Sequence, residues 1–431
     1  MRLLIIGAGP GGYETAVEAA KRGMEVALIT DGPLGGTCLN EGCIPTKTFC
    51  HYAELIEQNL KAGLDCKPAF AAAAERKQAV IEQLRGGIDM LLKGVEVVQG
   101  RAVFKDAKTI VCNGQEYSAD KIIIATGSVS ASLPVPGAES CLTSKDLLEL
   151  TDVPESLCVI GGGVIGLEFA SIFRSFGSEV TVLEFCPNIL PRFDVDLAKR
   201  LKQLLSKRGI NIEVQAQVTR IDGNKVTYIK KDKECTVQAE KVLMAVGRRP
   251  NTDGLNLEAA GIDYTRKGIT VNDHFETSVP NIYAVGDVTG GIMLAHAATF
   301  QGRHVLNAIC GETDSIRFDL VPAAVFTMPE VAMVGLTEEQ CKEQQLEFRC
   351  LKSFYRANGK AVSMDETDGY CKVIIGQDGA ILGAHIMGAH ASDLIHEITT
   401  AMNLGATLPQ LQSIIHAHPT LSEVLQAALH Q

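Results

Sequence analysis

Leu3-Leu4-Ile5-Ile6-Gly7-Ala8-Gly9-Pro10-Gly11-Gly12 is the stretch from which the fold is read. Four consecutive aliphatic residues predict a strand buried on both faces, as in a parallel sheet, and the glycines predict a tight turn into a helix through Glu14, Ala16, Val17 and Ala20. Gly7 permits the turn, Gly9 lets backbone approach a pyrophosphate, and Gly12 allows close helix–strand packing, with the phosphate at the helix N-terminus. A second strand, residues 25–29, follows at the distance such a unit requires.

The pattern recurs. Leu157-Cys158-Val159-Ile160 runs into Gly161-Gly162-Gly163-Val164-Ile165-Gly166, and the next strand is residues 180–184. Two dinucleotides are implied. In each unit the second strand ends 18 residues after the last glycine, on Thr30 in the first copy and on Glu184 in the second. Glu184 can accept from both ribose hydroxyls and would repel a 2′-phosphate, and Phe185-Cys186-Pro187-Asn188 lack an arginine to hold one, so NAD is favoured over NADP. Thr30 replaces the usual acidic residue, which leaves neighbouring Asp31 as a substitute ribose ligand in the first site.

Composition narrows the remaining classes. A chain of 431 residues, 46% hydrophobic and 21% charged, is long enough for two to four domains and has no biased tract, so disorder is not expected. A formal charge of -11 gives no footprint for a phosphate backbone, and Arg248-Arg249 reads as an isolated basic pair; nucleic acid is not an expected partner. No apolar run is long enough for a membrane span and no signal peptide precedes the first strand, so a cytoplasmic protein is expected, with no membrane partner. Thirteen irregularly spaced cysteines in a reducing compartment make any disulfide a catalytic one. Eleven are assigned to structure: Cys50, Cys66, Cys112, Cys141, Cys158, Cys186, Cys235, Cys310, Cys341, Cys350 and Cys371.

The other two lie in GGTCLNEGCIPTK, residues 35–47. Cys38 and Cys43 are five apart, and on a regular helix positions i and i+5 occupy different faces, too distant for an unstrained bridge. If they bond, the segment must be distorted; Gly42 supplies the freedom, and Pro45 suits the first turn of a following helix. A thiol at such a helix start gains thiolate character. Standing alone, the pair would read as two unbonded buried cysteines.

It does not stand alone. GGTCLNEGCIPTK, GGGVIGLE at 161–168, AVGDV at 284–288 and HAHPTLSE at 416–423 together resemble the pyridine nucleotide-disulfide oxidoreductases over essentially the whole chain, and within them the members that oxidise dihydrolipoyl groups. The resemblance implies an α/β fold with two Rossmann-like dinucleotide-binding domains, FAD in the first and NAD in the second, plus a C-terminal α+β dimerisation domain, in a homodimer whose active sites combine residues of both subunits. It assigns Cys38 to exchange with substrate and Cys43 to the flavin side, with Lys47 beside the flavin and paired with Glu168. Gly36 and Thr37, Ala102, Thr126, Gly127 and Ser128, Asp287, and Met293-Leu294-Ala295-His296 at a helix start are implied on FAD; Gly161, Gly163, Val164, Ile165, Gly166, Glu184, Val218 and Gly247 are implied on NAD. Without the resemblance Asp287 reads as a helix cap.

His418 precedes Pro419, which is expected to open a helix, and Glu423 about a turn later can orient the imidazole and prepare it as a base for a dithiol. His416 is a decoy for a metal site, since no acidic or cysteine ligands complete one, and no metal is expected. Turn-rich or proline-bearing boundaries divide the chain into an FAD domain at 1–150 and 252–320, an NAD domain at 151–251, and an interface domain at 321–431 with strands at 325–326 and 371–375 and helices at 391–404 and 421–429. Because Met1 starts the first strand, the lipoyl group is expected on another protein, a component of a 2-oxoacid dehydrogenase or glycine cleavage system. The rivals are an NAD(P)H-dependent reductase of a small disulfide, a mercuric reductase, which would need a cysteine pair where this chain ends LQAALHQ, and a subunit kept mainly for docking in a multienzyme complex.

Overall fold

A computed structural model describes residues 1–64 and 69–431. The first glycine-bearing strand, Arg2–Ile6, sits in a five-stranded parallel sheet between Glu25–Thr30 and Lys121–Ile124, with Glu96–Gln99 and Ile282–Ala284 at the edges. The second, Ser156–Ile160, sits in a four-stranded parallel sheet between Glu179–Glu184 and Lys241–Met244, with Ile210–Val214 beyond. The middle strands are aliphatic and nearly solvent-free because both faces are covered, one by helices and the other by a three-stranded antiparallel sheet, which is why they read as unbroken apolar runs.

The duplication extends further than the glycine turns. Each unit places a three-stranded antiparallel meander immediately before its fourth parallel strand in chain order: Val103–Asp106, Thr109–Cys112 and Gln115–Ser118 in the first, Gln217–Asp222, Lys225–Lys230 and Lys233–Gln238 in the second. What distinguishes the first unit is a long helical excursion, Gly36–Glu41, Cys43–Lys61 and Phe70–Leu91, between its second and third strands. That excursion carries the cysteine segment.

The last 110 or so residues form a five-stranded antiparallel sheet in the order Ala323–Val325, Val331–Gly335, Ile381–Met387, Tyr370–Gly376, Phe348–Phe354, packed on the helix Ala391–Asn403. Two expectations need correction here. Phe326 lies outside the first strand. The final helix is Glu423–Leu429, not 421–429, and Pro419 does not open it: Pro419 follows a cis peptide in the preceding loop, while the Glu423 carboxylate accepts from Thr420 N at 2.8 Å and starts the helix itself. Among the described residues no helix is long and apolar enough to cross a membrane. Of the cysteines assigned to structure, Cys112, Cys158, Cys341 and Cys371 are buried, Cys310 is exposed, and Cys66 lies outside the described residues.

Candidate active site

Cys38 lies on the short helix Gly36–Glu41 and Cys43 is the first residue of Cys43–Lys61. Between them Gly42, at φ -140° and ψ -114°, breaks the helical path. A Cβ at Gly42 would stand 2.8 Å from the Thr37 carbonyl oxygen, so only glycine lets the second helix start this close to the first. This is the distortion that an i, i+5 pair needs. Asn40 ties the loop down by donating to Leu34 O at 2.9 Å and Gly36 O at 2.8 Å, and Arg85 from the next long helix donates to Asn40 Oδ1 at 2.6 Å.

Both cysteines are free thiols in this structure, and their proton affinities are driven apart. Cys43 is drawn down to about 7, first by the hydrogen bond from Cys38, then by the Lys47 ammonium, against burial and the Glu168 charge. Cys38, the donor of that bond, is pushed well above its ordinary value by the same contact and by burial. A reduced pair near neutral pH therefore holds its proton on Cys38 and its charge on Cys43.

Lys47, one turn into the same helix, places Nζ 2.8 Å from both carboxylate oxygens of Glu168. Glu168 is 3% exposed and also accepts from Phe326 N at 3.0 Å. Burial opposes the Lys47 charge, but Glu168 and the neighbouring thiols outweigh it and hold the ammonium above its ordinary value.

One cavity of about 2610 Å³ connects all of this. Gly7, Gly9, Asp31, Gly36, Thr37, Ala102, Thr126, Gly127, Ser128, Asp287 and Met293 through His296 line it on the first unit's side; Gly161, Gly163, Val164, Ile165, Glu184, Val218 and Gly247 line it on the second's, with Cys38, Cys43, Lys47 and Glu168 between. Gly12 and Gly166 stand behind the lining: a Cβ there would meet Gly7 O at 1.8 Å and Gly161 O at 2.0 Å, the close packing expected of the third glycine. Gly9 and Gly163 face open space, with nothing within 4 Å of a would-be Cβ. Two bare backbone turns opening into one cavity are what two dinucleotide pyrophosphates need, and the residues fit both groups. The helix at His296 starts at Ala295, so Met293 and Leu294 precede it.

Glu184 is buried, with Oε2 accepting from Gly162 N at 2.5 Å and Oε1 from Cys186 N at 2.6 Å, so its carboxylate is fixed at the cavity wall. Arg192, four residues beyond Asn188, also reaches the lining, so discrimination against a 2′-phosphate falls to Glu184 itself. In the first unit the Thr30 hydroxyl is spent on Gly32 O at 3.1 Å, while Asp31 is exposed on the cavity.

His418 and Glu423 do not line this cavity. They pair with each other, Nδ1 to Oε1 at 2.9 Å, with the imidazole well exposed. His416 is buried against Glu397, Nε2 to Oε1 at 2.7 Å. Two contributors escaped the sequence. Arg248, read there as half of an isolated pair, donates to Ser128 Oγ and Ser128 O, each at 2.7 Å, and Ser128 Oγ in turn donates to Asp287 at 2.5 Å. Phe326 sits against Lys47 and Glu168. Neither lies in a motif; only the pairing of Arg248–Pro250 with Ser128–Ser130 brings the arginine to the site.

Two nucleotide turns on one cavity, with a dithiol between them, define a pyridine nucleotide-dependent thiol oxidoreductase. The chain belongs to the pyridine nucleotide-disulphide oxidoreductases: that family's model matches residues 1–302, and the model of the family's dimerisation domain matches 321–429. It is 41% identical to a dihydrolipoyl dehydrogenase of Geobacillus stearothermophilus over 99% of this chain and 94% of that one, and 42% identical to one of Bacillus subtilis over 99% and 95%. Among solved structures, LpdA from Mycobacterium tuberculosis superposes with a TM-score of 0.91 at 30% identity, covering 100% of this chain and 99% of that one. A HOCl-induced flavoprotein disulfide reductase from Escherichia coli gives 0.90 at 33% identity, covering 100% and 99%.

Proposed function

We propose that the chain is an FAD-containing, NAD-dependent dihydrolipoyl dehydrogenase acting as a homodimer on a lipoyl group carried by another protein, a component of a 2-oxoacid dehydrogenase or glycine cleavage system. The observation that carries this is the polarised Cys38–Cys43 pair set between two nucleotide turns on one cavity. Residues 1–150 and 252–320 form the FAD domain, 151–251 the NAD domain and 321–431 the interface domain.

In the oxidised enzyme Cys38 and Cys43 are joined. His418 of the partner subunit takes a proton from dihydrolipoamide, and the resulting thiolate attacks Cys38. A substrate–Cys38 disulfide forms, the Cys38–Cys43 bond breaks, and Cys43 leaves as the thiolate that its surroundings favour near pH 7. The second substrate thiol, deprotonated in turn, displaces Cys38 and closes the lipoamide disulfide; Cys38 takes a proton, in keeping with its raised affinity. Lys47, held by Glu168, balances the Cys43 charge. Gly9 and Gly163 would admit the two pyrophosphates, Glu184 would hold the NAD ribose, and Asp287, braced by Ser128, would hold the ribityl part of FAD. Bound FAD supplies the oxidant for the dithiol and NAD the final hydride acceptor.

The deciding assay compares dihydrolipoamide with NAD against glutathione disulfide with NADPH. Rapid NAD reduction by dihydrolipoamide is expected; turnover confined to the second pair would replace this assignment with a small-disulfide reductase. On cofactor choice, Glu184→Ala should cut kcat/KM for NAD by roughly 10- to 150-fold, the worth of a hydrogen bond to a charged acceptor, and leave NADP unchanged or improved. Equal losses for both cofactors would show that Glu184 only braces the turn through Gly162 and Cys186.

A further inference from the structure

Phe326 contacts Lys47 and two of its charged or titratable neighbours, Glu168 and Cys50, from outside the motifs. Its ring centroid is 4.5 Å from Lys47 Nζ, its N–H donates to Glu168 Oε1 at 3.0 Å, and its carbonyl accepts from the Cys50 thiol at 3.5 Å. Lys47 is thus bounded by a carboxylate and an aromatic face, on a flexible four-carbon stem that neither contact alone would fix.

We propose that Phe326 is a positioning residue for the redox pair, its ring seating the Lys47 ammonium against Glu168 at the Cys43 end of the cavity. The proposal rests on the assignment of Cys38 and Cys43 as that pair. The charged and titratable groups around it come from five elements, the first being the helix Pro10–Lys21, whose Tyr13 faces Cys38. Cys43 faces Cys38 on the preceding short helix, Lys47 on its own helix and Glu168 on Val164–Phe176; Lys47 faces Glu168, Cys43 and Cys50; Cys50 faces Glu330 from the loop before Val331–Gly335. Lys47 is the one cation in this set. An ammonium less firmly seated spends time away from Cys43, so the thiolate loses support while the Glu168 charge opposing it stays.

The test uses holoenzyme in a Cys38→Ser background, where Cys43 is the remaining redox thiol, and follows with pH the long-wavelength absorbance of its thiolate beside bound flavin. Phenylalanines with one, two and three ring fluorines at position 326 keep the shape while draining negative charge from the ring face. The titration midpoint should climb stepwise through the series, by several tenths to about one pH unit in total. Phe326→Tyr should leave it in place, and Phe326→Leu should reach the top of the range. A midpoint that stays flat across the fluorinated series, with flavin content unchanged, overturns the proposal even if Phe326→Leu fails to fold. Absence of any titrating band in the unfluorinated parent overturns it as well, and places the failure in the Cys43 assignment beneath it.

Discussion

Replacing His418 with glutamine is expected to lower dihydrolipoamide-driven NAD reduction by about 10²–10⁴-fold, the usual share of a general base, while rapid reduction of enzyme flavin by NADH survives. The geometry explains the split. Glu423 Oε1 accepts from His418 Nδ1 at 2.9 Å, and Oε2 is occupied by Thr420 N at 2.8 Å, so the carboxylate is fixed and the imidazole keeps Nε2 free for a substrate thiol. The Thr420 amide first, and His418 second, hold the Glu423 carboxyl below its ordinary value, which keeps it charged and accepting at neutral pH. NADH needs no substrate thiol, so its half-reaction should not depend on this pair. If both half-reactions fall together, His418 is structural. Glu423→Ala should give a weaker form of the same split, since the base remains but loses its orienting partner. Because neither residue lines its own chain's cysteine cavity, mixed dimers of Cys38→Ser and His418→Gln subunits should regain one working site; a verified heterodimer without activity would place the base elsewhere.

What the sequence made legible was local and periodic. The glycine turns, the aliphatic strands and the CLNEGC segment each carry their chemistry within a few residues, and the structure brings their side chains to one cavity. The duplicated meanders are not legible in the sequence because the strands of the first are only four residues long and the outer strands of both, such as Gln115–Ser118 and Lys233–Gln238, are largely exposed and polar. Pro419 misled because a proline suits the first turn of a helix, while the competing signal, a glutamate whose carboxylate reaches back to Thr420 N, needs the loop geometry to be recognised. Arg248 and Phe326 act across about 120 and 160 positions of sequence respectively, on Ser128 and Glu168, where no spacing rule applies.

The same limit hides the most deeply buried ion pair among the described residues, and it yields the second large effect. Tyr370–Gly376 reads YCKVIIG, an apolar strand in which a lysine would be expected to reach solvent. Instead Lys372 is wholly buried, its Nζ 2.5 Å from Asp194 Oδ1 and 3.2 Å from Glu338 Oε2. Asp194 is equally buried; it caps the helix Val195–Lys207 by accepting from Asp196 N and Leu197 N, and accepts from Glu338 N at 3.2 Å. The contact therefore joins the second nucleotide unit to the C-terminal sheet. Burial alone would raise the Asp194 carboxyl; His385 and Lys372 reverse that and hold it below its ordinary value. Complete burial keeps the His385 imidazole below its own ordinary value and hence neutral at pH 7, so Lys372 is the effective cation. Lys372→Met strands the Asp194 charge and should cost about 3–5 kcal/mol, read as a lower urea midpoint of the holoenzyme. Lys372→Met with Asp194→Asn should recover much of the loss, since asparagine still caps the helix and carries no charge. The sign with pH follows from the depressed carboxyl: its contribution is fully present above the unfolded value of about 3.9 and disappears as pH falls through the lower folded one. In the lysine-less variant the buried, unpaired carboxyl is displaced upward instead, so the gap between wild type and variant should be widest at neutral pH and close in acid. A gap independent of pH, or a double variant no more stable than the single one, would mean that Lys372 contributes through the packing of its stem rather than through its charge.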